Sequence, residues 1–123
     1  MKTFEITNDV FKDKITQATD CLRCCDFESA YDLITQAMHI EPDSPQPHNL
    51  LGIWFELRGN GDKARRHYRA AYSLDPTFAP ACKNLEQICT VFDTKIPRIY
   101  DFGDETEEMS RAEAEKNSQN NHL

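Results

Sequence analysis

The sequence predicts an all-α fold made of helix pairs, and three observations predict it. Apolar residues recur every three or four positions through most of residues 10–92, which gives a helix one apolar stripe. Turn-forming residues interrupt the stripes at Pro42-Asp43-Ser44-Pro45, at Gly59 and Gly61, and at Pro76. The chain also matches itself at a shift of 34 residues. Ala30, Ile34, Ala37, Ile40, Glu41 and Pro42 fall under Ala64, Tyr68, Ala71, Leu74, Asp75 and Pro76.

Residues 1–10 read as an N-terminal lead, extended through residue 8, with Phe4 and Ile6 available to pack on the first pair. Asn8 or Asp9 is the expected N-cap, because a short polar side chain accepts from the free amides of a first turn. Phe11, Ile15, Ala18 and Leu22 form the stripe of a first helix over about 10–24. A second helix starts at Asp26 and ends near Ile40, with Phe27, Ala30, Tyr31, Ile34, Ala37 and Met38 facing inward. Ser44 caps a third helix over about 45–58, and Pro45 is its first residue, where a missing amide costs nothing. A fourth helix covers about 62–74. Thr77 is expected to cap a fifth, which carries Phe78, Ala81, Cys82, Leu85, Ile88, Cys89 and Phe92. The domain therefore reads as 11–93, with repeats 11–44 and 45–78 and a capping helix at 78–93.

Within 45–78, Leu51, Gly52 and Phe55 stand as L-G-x-x-aromatic. Ala64, Tyr68 and Ala71 stand as A-x-x-x-aromatic-x-x-A, and Pro76 follows. Each position has a packing reason: Gly52 and Ala64 are small where two helices cross, and Leu51, Phe55 and Tyr68 fill the space between. This stretch resembles one tetratricopeptide repeat (TPR). The earlier unit is degenerate, with Gln17, Ala18 and Cys21 at the matching positions, and Glu86 replaces the glycine of a third. The resemblance covers about two-thirds of the chain and is to the small, stand-alone bacterial type. It implies a right-handed array of antiparallel helix pairs that acts as a non-catalytic protein–protein interaction module.

The resemblance also implies a concave groove lined by the first helix of each pair, which holds an extended peptide or a partner helix. Carried over by position, the groove presents Lys12, Ile15, Thr19 and Arg23, then Asn49, Ile53, Glu56 and Leu57, then Lys83, Gln87 and Thr90. Asn49 and Lys83 are donors one repeat apart, able to hold a peptide backbone or a carboxylate. The lysine-rich clamp with which some relatives grip acidic chaperone tails is absent. Ile15, Thr19, Leu50, Pro80 and Asn84 occupy its positions.

Other chemistries are weaker. Cys21, Cys24 and Cys25 form C-x-x-C-C, the basis of a thiol or metal alternative, but no neighbouring residues complete four ligands. Cys21, Cys82 and Cys89 fall at positions expected to be buried as small apolar residues. Arg65, Arg66 and Arg69 form a basic patch on the convex side, the basis of a nucleic-acid alternative, but without interleaved aromatics. Trp54, at a repeat position that usually holds a small residue, is expected to pack, with a place on a contact surface as the alternative. The four glycines make no phosphate-cradling loop, and no catalytic constellation is evident, so no enzyme, cofactor or metal is expected.

Net charge is −7, with 10 basic and 14 acidic residues in 1–93 and 4 and 7 in 94–123. That balance argues against nucleic acid and against an anionic membrane as main partner. No apolar run reaches membrane-spanning length, the N-terminus has no signal-peptide core, and five cysteines fit a reducing compartment. Another protein or peptide is the expected partner, the cytoplasm the expected location, and a monomer the expected state, with a weak homodimer as the alternative.

Residues 94–123 are an acidic extension whose end, NSQNNHL, is expected to be disordered. Asp104 and Glu107 make a capping-box pattern ahead of a short helix over 105–116. The stretch TKIPRIYDFG carries Ile96, Ile99, Tyr100 and Phe102, too many large apolar side chains for a free tail. It is expected to dock on the domain, either at the open side of the terminal helix or in the groove near Trp54, where it would act as a built-in inhibitor. Asp101, Asp104, Glu105, Glu107 and Glu108 could then reach the arginine patch. A linear motif for another protein is the alternative.

Overall fold

The computed structural model describes the backbone of residues 2–90 and 97–104, and side chains from Asn8 onward within those ranges. Five helices follow one another: α1 (Lys2–Arg23), α2 (Phe27–Ile40), α3 (Pro45–Leu57), α4 (Gly61–Leu74) and α5 (Ala79–Thr90). There is no strand among the described residues. Each helix packs on the next, and α3 also touches α1 and α5. The array is thus helical and repeat-like. No helix among the described residues is long and apolar enough to cross a membrane.

The 34-residue period is visible in the backbone. At the end of α1 the Cys25 amide donates to Leu22 and the Asp26 amide to Cys21, at 3.1 and 2.8 Å. At the end of α3 the Gly59 amide donates to Glu56 and the Asn60 amide to Phe55, at 3.0 and 2.8 Å. Both are Schellman turns, which put one residue in the left-handed region. That residue is Gly59 (φ 82°) in the second turn and Cys25 (φ 60°) in the first. Asp26 and Asn60 then cap α2 and α4, accepting from Ser29 and Lys63. The next turns also match: Ser44 N–H donates to Glu41, and Phe78 N–H to Asp75.

The core repeats as well. Ala30, Ile34 and Ala37 of α2, like Ala64, Tyr68 and Ala71 of α4, are fully buried. Ala18, Leu22, Leu50, Leu51 and Ile53 join them. Gly52 is obligatory: a Cβ there would lie 2.3–2.8 Å from the Tyr68 ring. Trp54 packs, as expected. Its Nε1–H donates to the Phe27 carbonyl at 2.8 Å, and its ring meets Phe27, Tyr31 and Phe55.

Several expectations are corrected. There is no extended lead: α1 begins at Lys2, and Asn8 and Asp9 lie inside it. Thr77 does not cap α5. Its hydroxyl and amide both bond Asp75 Oδ1, and the cap position, 34 residues after Ser44, belongs to Phe78. Cys89 is exposed and Cys82 half-buried, because no further described helix covers that side of α5. The packing of Phe4 and Ile6, the end of the capping helix at 91–93, Ile96 and everything after Asp104 lie outside the described residues.

Candidate functional site

Residues 97–104 cross α5, α3 and α1, the three helices expected to line the groove. The contacts begin with two asparagines. Asn49 on α3 and Asn84 on α5 are both fully buried, and Asn84 Nδ2 donates to Asn49 Oδ1 at 2.8 Å. Their remaining amide donors converge on the Asp101 carbonyl, from Asn49 Nδ2 at 3.0 Å and from Asn84 Nδ2 at 2.8 Å. Asn84 Oδ1 accepts the Asp101 N–H at 2.9 Å. One amide therefore reads both polar groups of a backbone residue, as a neighbouring strand would. A buried amide without such partners would lose roughly 1–3 kcal/mol per unmet group.

A charged cluster lies further along both helices, about two turns beyond Asn49 at Glu56 and about one turn beyond Asn84 at Gln87. Glu56 on α3 accepts from Arg98 Nε at 2.7 Å and Nη2 at 3.0 Å, a forked geometry that lysine lacks. Gln87 on α5 accepts from Arg98 Nη1 at 2.6 Å. The Tyr68 hydroxyl donates to Glu56 at 2.9 Å. Burial, reinforced by Glu56, holds the Tyr68 hydroxyl far above its ordinary pKa, so it remains a donor. The Arg98–Glu56 pair keeps only 17% and 12% of its side-chain surface. Arg98 also lies over the Tyr100 ring, 4.4 Å from its centroid.

The far end of the segment meets α1. Arg23 forks onto Asp104 at 2.7 and 3.0 Å and stands 4.6 Å over the Phe102 ring. Its hydrogen bond to Asp104 raises the Arg23 pKa. Lys83 stands 3.6 Å from the Asp101 carboxylate. Tyr100 and Phe102 pack on the core cluster, whereas Ile99 is 70% exposed. Gly103 (φ 80°) turns the chain against Phe78 and Pro80.

Of the residues assigned to the groove, Arg23, Asn49, Glu56, Lys83 and Gln87 meet at this segment. The others do not touch it through polar contacts. Lys12 is exposed beside Asn8, Phe11, Glu41 and Ser44, where those side chains border a shallow depression. Ile53 is fully buried in the core, and Ile15 and Leu57 pack against it. Thr19 is buried, and its hydroxyl donates back to the Ile15 carbonyl at 2.9 Å. Thr90 is exposed and bonds Glu86 within α5. Of the expected apolar side chains, Tyr100 and Phe102 dock and Ile99 does not, while Ile96 lies outside the described residues. Asp101 and Asp104 pair with Lys83 and Arg23 rather than with the arginine patch. Within that patch Arg65 pairs with Asp62 at 2.8 Å.

Two participants were missed. Asn84 enters the sequence reading only as an occupant of a clamp position, 34 residues after Leu50, and both residues are fully buried; an amide at such a ligand-facing position is the available signal. Arg98 shares its stretch with Lys95 and has no periodic position to mark it, whereas Glu56 is the one acid among the residues assigned to the groove.

Elsewhere, Cys24 and Cys25 are exposed at the turn, and Cys24 Sγ donates to the Asp20 carbonyl. Burial, with Asp26 nearby, raises the Cys21 pKa and disfavours its thiolate. Among the described residues no three His, Cys, Asp or Glu side chains are grouped to hold a metal ion. No protein-family model matches the chain, and no solved structure matches it.

Proposed function

We propose that the protein is a non-catalytic interaction module, a TPR-like adaptor or scaffold of the cytoplasm. In this reading its helices form a right-handed array of antiparallel pairs, and the groove along α1, α3 and α5 binds a segment of another protein. One observation carries the reading: Asn49 and Asn84, both fully buried, reach the backbone C=O and N–H of Asp101, a residue outside any helix. That grip is indifferent to side chains and suits an extended peptide. A partner helix would have its backbone groups already engaged, so the extended ligand is favoured over the helical one. The nucleic-acid alternative is weakened by the Asp62 partner of Arg65, and the thiol alternative by the raised pKa of Cys21.

The test is capture of partners from cells that express the protein, using wild type, Asn49→Ala/Lys83→Ala and Arg65→Gln/Arg66→Gln/Arg69→Gln. Partners retained by the arginine variant and lost by the groove variant support the reading, provided both melt cooperatively. The opposite pattern moves the site to the convex face.

A further inference from the structure

We propose that the groove selects an extended peptide of the form arginine, any residue, aromatic, acid, aromatic, and that residues 98–102 are its internal copy. The proposal rests on the groove reading above and gives it a ligand chemistry. Each position has its own selector. Glu56 and Gln87 form a socket for a planar, forked cation, with Glu56 aimed by Tyr68. The next residue, Ile99, is 70% exposed and leaves that position unselected. Tyr100 lies under the Arg98 guanidinium and against the core. Asp101 takes the asparagine grip through its backbone and faces Lys83 through its carboxylate. Phe102 lies under Arg23 and against the core.

The internal copy also sets a threshold. A tethered segment acts at an effective concentration on the order of millimolar, so an outside ligand binds with an affinity reduced by the fraction of open grooves. A partner carrying the same pattern would have to displace residues 98–102, which makes the groove respond to abundant or multivalent partners.

The experiment uses the full chain and a fluorescent synthetic peptide with the sequence of residues 97–104. Phe102→Ala should loosen the internal copy, and the peptide should bind this variant at least tenfold more tightly than wild type. Replacing the peptide's arginine with lysine should weaken binding at least fivefold, and scrambling the peptide should abolish it. If Phe102→Ala does not fold, wild type with excess peptide is followed by NMR. Displacement then moves the amide signals of residues 98–102 while the Asn49 and Asn84 side-chain signals stay those of a bound groove. The proposal is overturned if the scrambled peptide binds equally well, if a folded variant ignores the peptide, or if excess peptide leaves the wild-type spectrum unchanged. Groove-dependent capture of a cellular partner alongside such a failure would leave the broader reading standing and remove only this ligand pattern.

Discussion

The two 34-residue units share a backbone and differ in what holds it. Their turns use the same hydrogen bonds, from Cys25 and Asp26 in one and from Gly59 and Asn60 in the other. Yet the helix crossing of the first unit is spaced by Ala18 and filled by Ile34, while that of the second has Gly52 against Tyr68. The larger ring does two jobs. It fills the crossing, and its hydroxyl aims Glu56 at Arg98. The first unit, with Ile34 at that position, can pack but cannot aim a carboxylate. Most polar contacts to residues 97–104 accordingly come from α3 and α5, and α1 contributes Arg23 at the margin.

The sharpest break of this comparison is at the crossings. Gly52→Val would drive atoms into the buried Tyr68 ring and should cost about 3 kcal/mol, the upper part of the overpacking range. At the matching position of the first unit the opposite change, Ala18→Gly, removes one buried methyl and loosens a helix, and should cost about 0.5–1 kcal/mol. Urea melts of both variants check this. A Gly52→Val protein as stable as wild type would mean that the Tyr68 ring does not occupy the crossing.

The next contrast lies between the two arginine forks. Arg98→Met keeps the aliphatic stem but leaves Glu56 without its cation at a site only 12% exposed, at an expected cost of about 1–2 kcal/mol. Arg23→Met breaks a fork that is 49% and 39% exposed, and should cost less than about 0.5 kcal/mol. Thermal melts at low and high salt check both values, and equal losses would show that burial does not separate the two pairs.

A smaller effect, of opposite sign, is expected at the turns. Cys25 holds a left-handed conformation that Gly59 adopts without strain. Cys25→Gly should therefore stabilise by about 0.5–1 kcal/mol, and Gly59→Cys should destabilise by a similar amount. Denaturant midpoints of the pair would reveal any departure from that mirror relation.

What could be read in advance follows from the same contrast. Ala30, Ile34, Ala37 and their partners in α4 are set by helical period and by close crossings, which a single sequence displays directly. The α3 start was legible because Ser44 and Pro45 act locally. The α5 start was not, because Phe78 offers no side-chain acceptor and Thr77 imitates one. The groove was legible in half. Asn49, Glu56, Lys83, Gln87 and Arg23 lie on helix faces that periodicity fixes. Asn84 lies on a core position, where apolar residues are the rule. Arg98 lies in a segment without periodicity, whose path depends on what it can reach in three dimensions.

The last prediction concerns pH, where only the second unit has a titrating pair. His48 and His67 stack with Nδ1 atoms 3.3 Å apart, while the corresponding positions of the first unit hold Lys14 and Leu33. His67 also stacks on Phe55, and Lys63 Nζ stands 5.4 Å from the centroid of that same ring. An Nδ1 to Nδ1 hydrogen bond needs one ring to donate and the other to accept, so it is lost if both are protonated. Burial lowers both pKa values, and His67 is lowered further by His48 and Lys63. The unfolded chain then binds protons more readily than the folded one. Its histidines titrate near 6.5, so this contribution is complete above that pH and is lost as pH falls through it towards the lower folded values. Asp75, whose pKa is lowered by its bonds from Thr77, acts in a separate window at more acidic pH. Stability measured by urea at intervals from pH 7.5 to 5 should decline below pH 7 in wild type. The slope should be shallower in His67→Gln, which retains an amide of similar reach without a titrating ring. A wild-type profile flat across that range, or a His67→Gln profile of equal slope, would sink the assignment of the pH response to this pair.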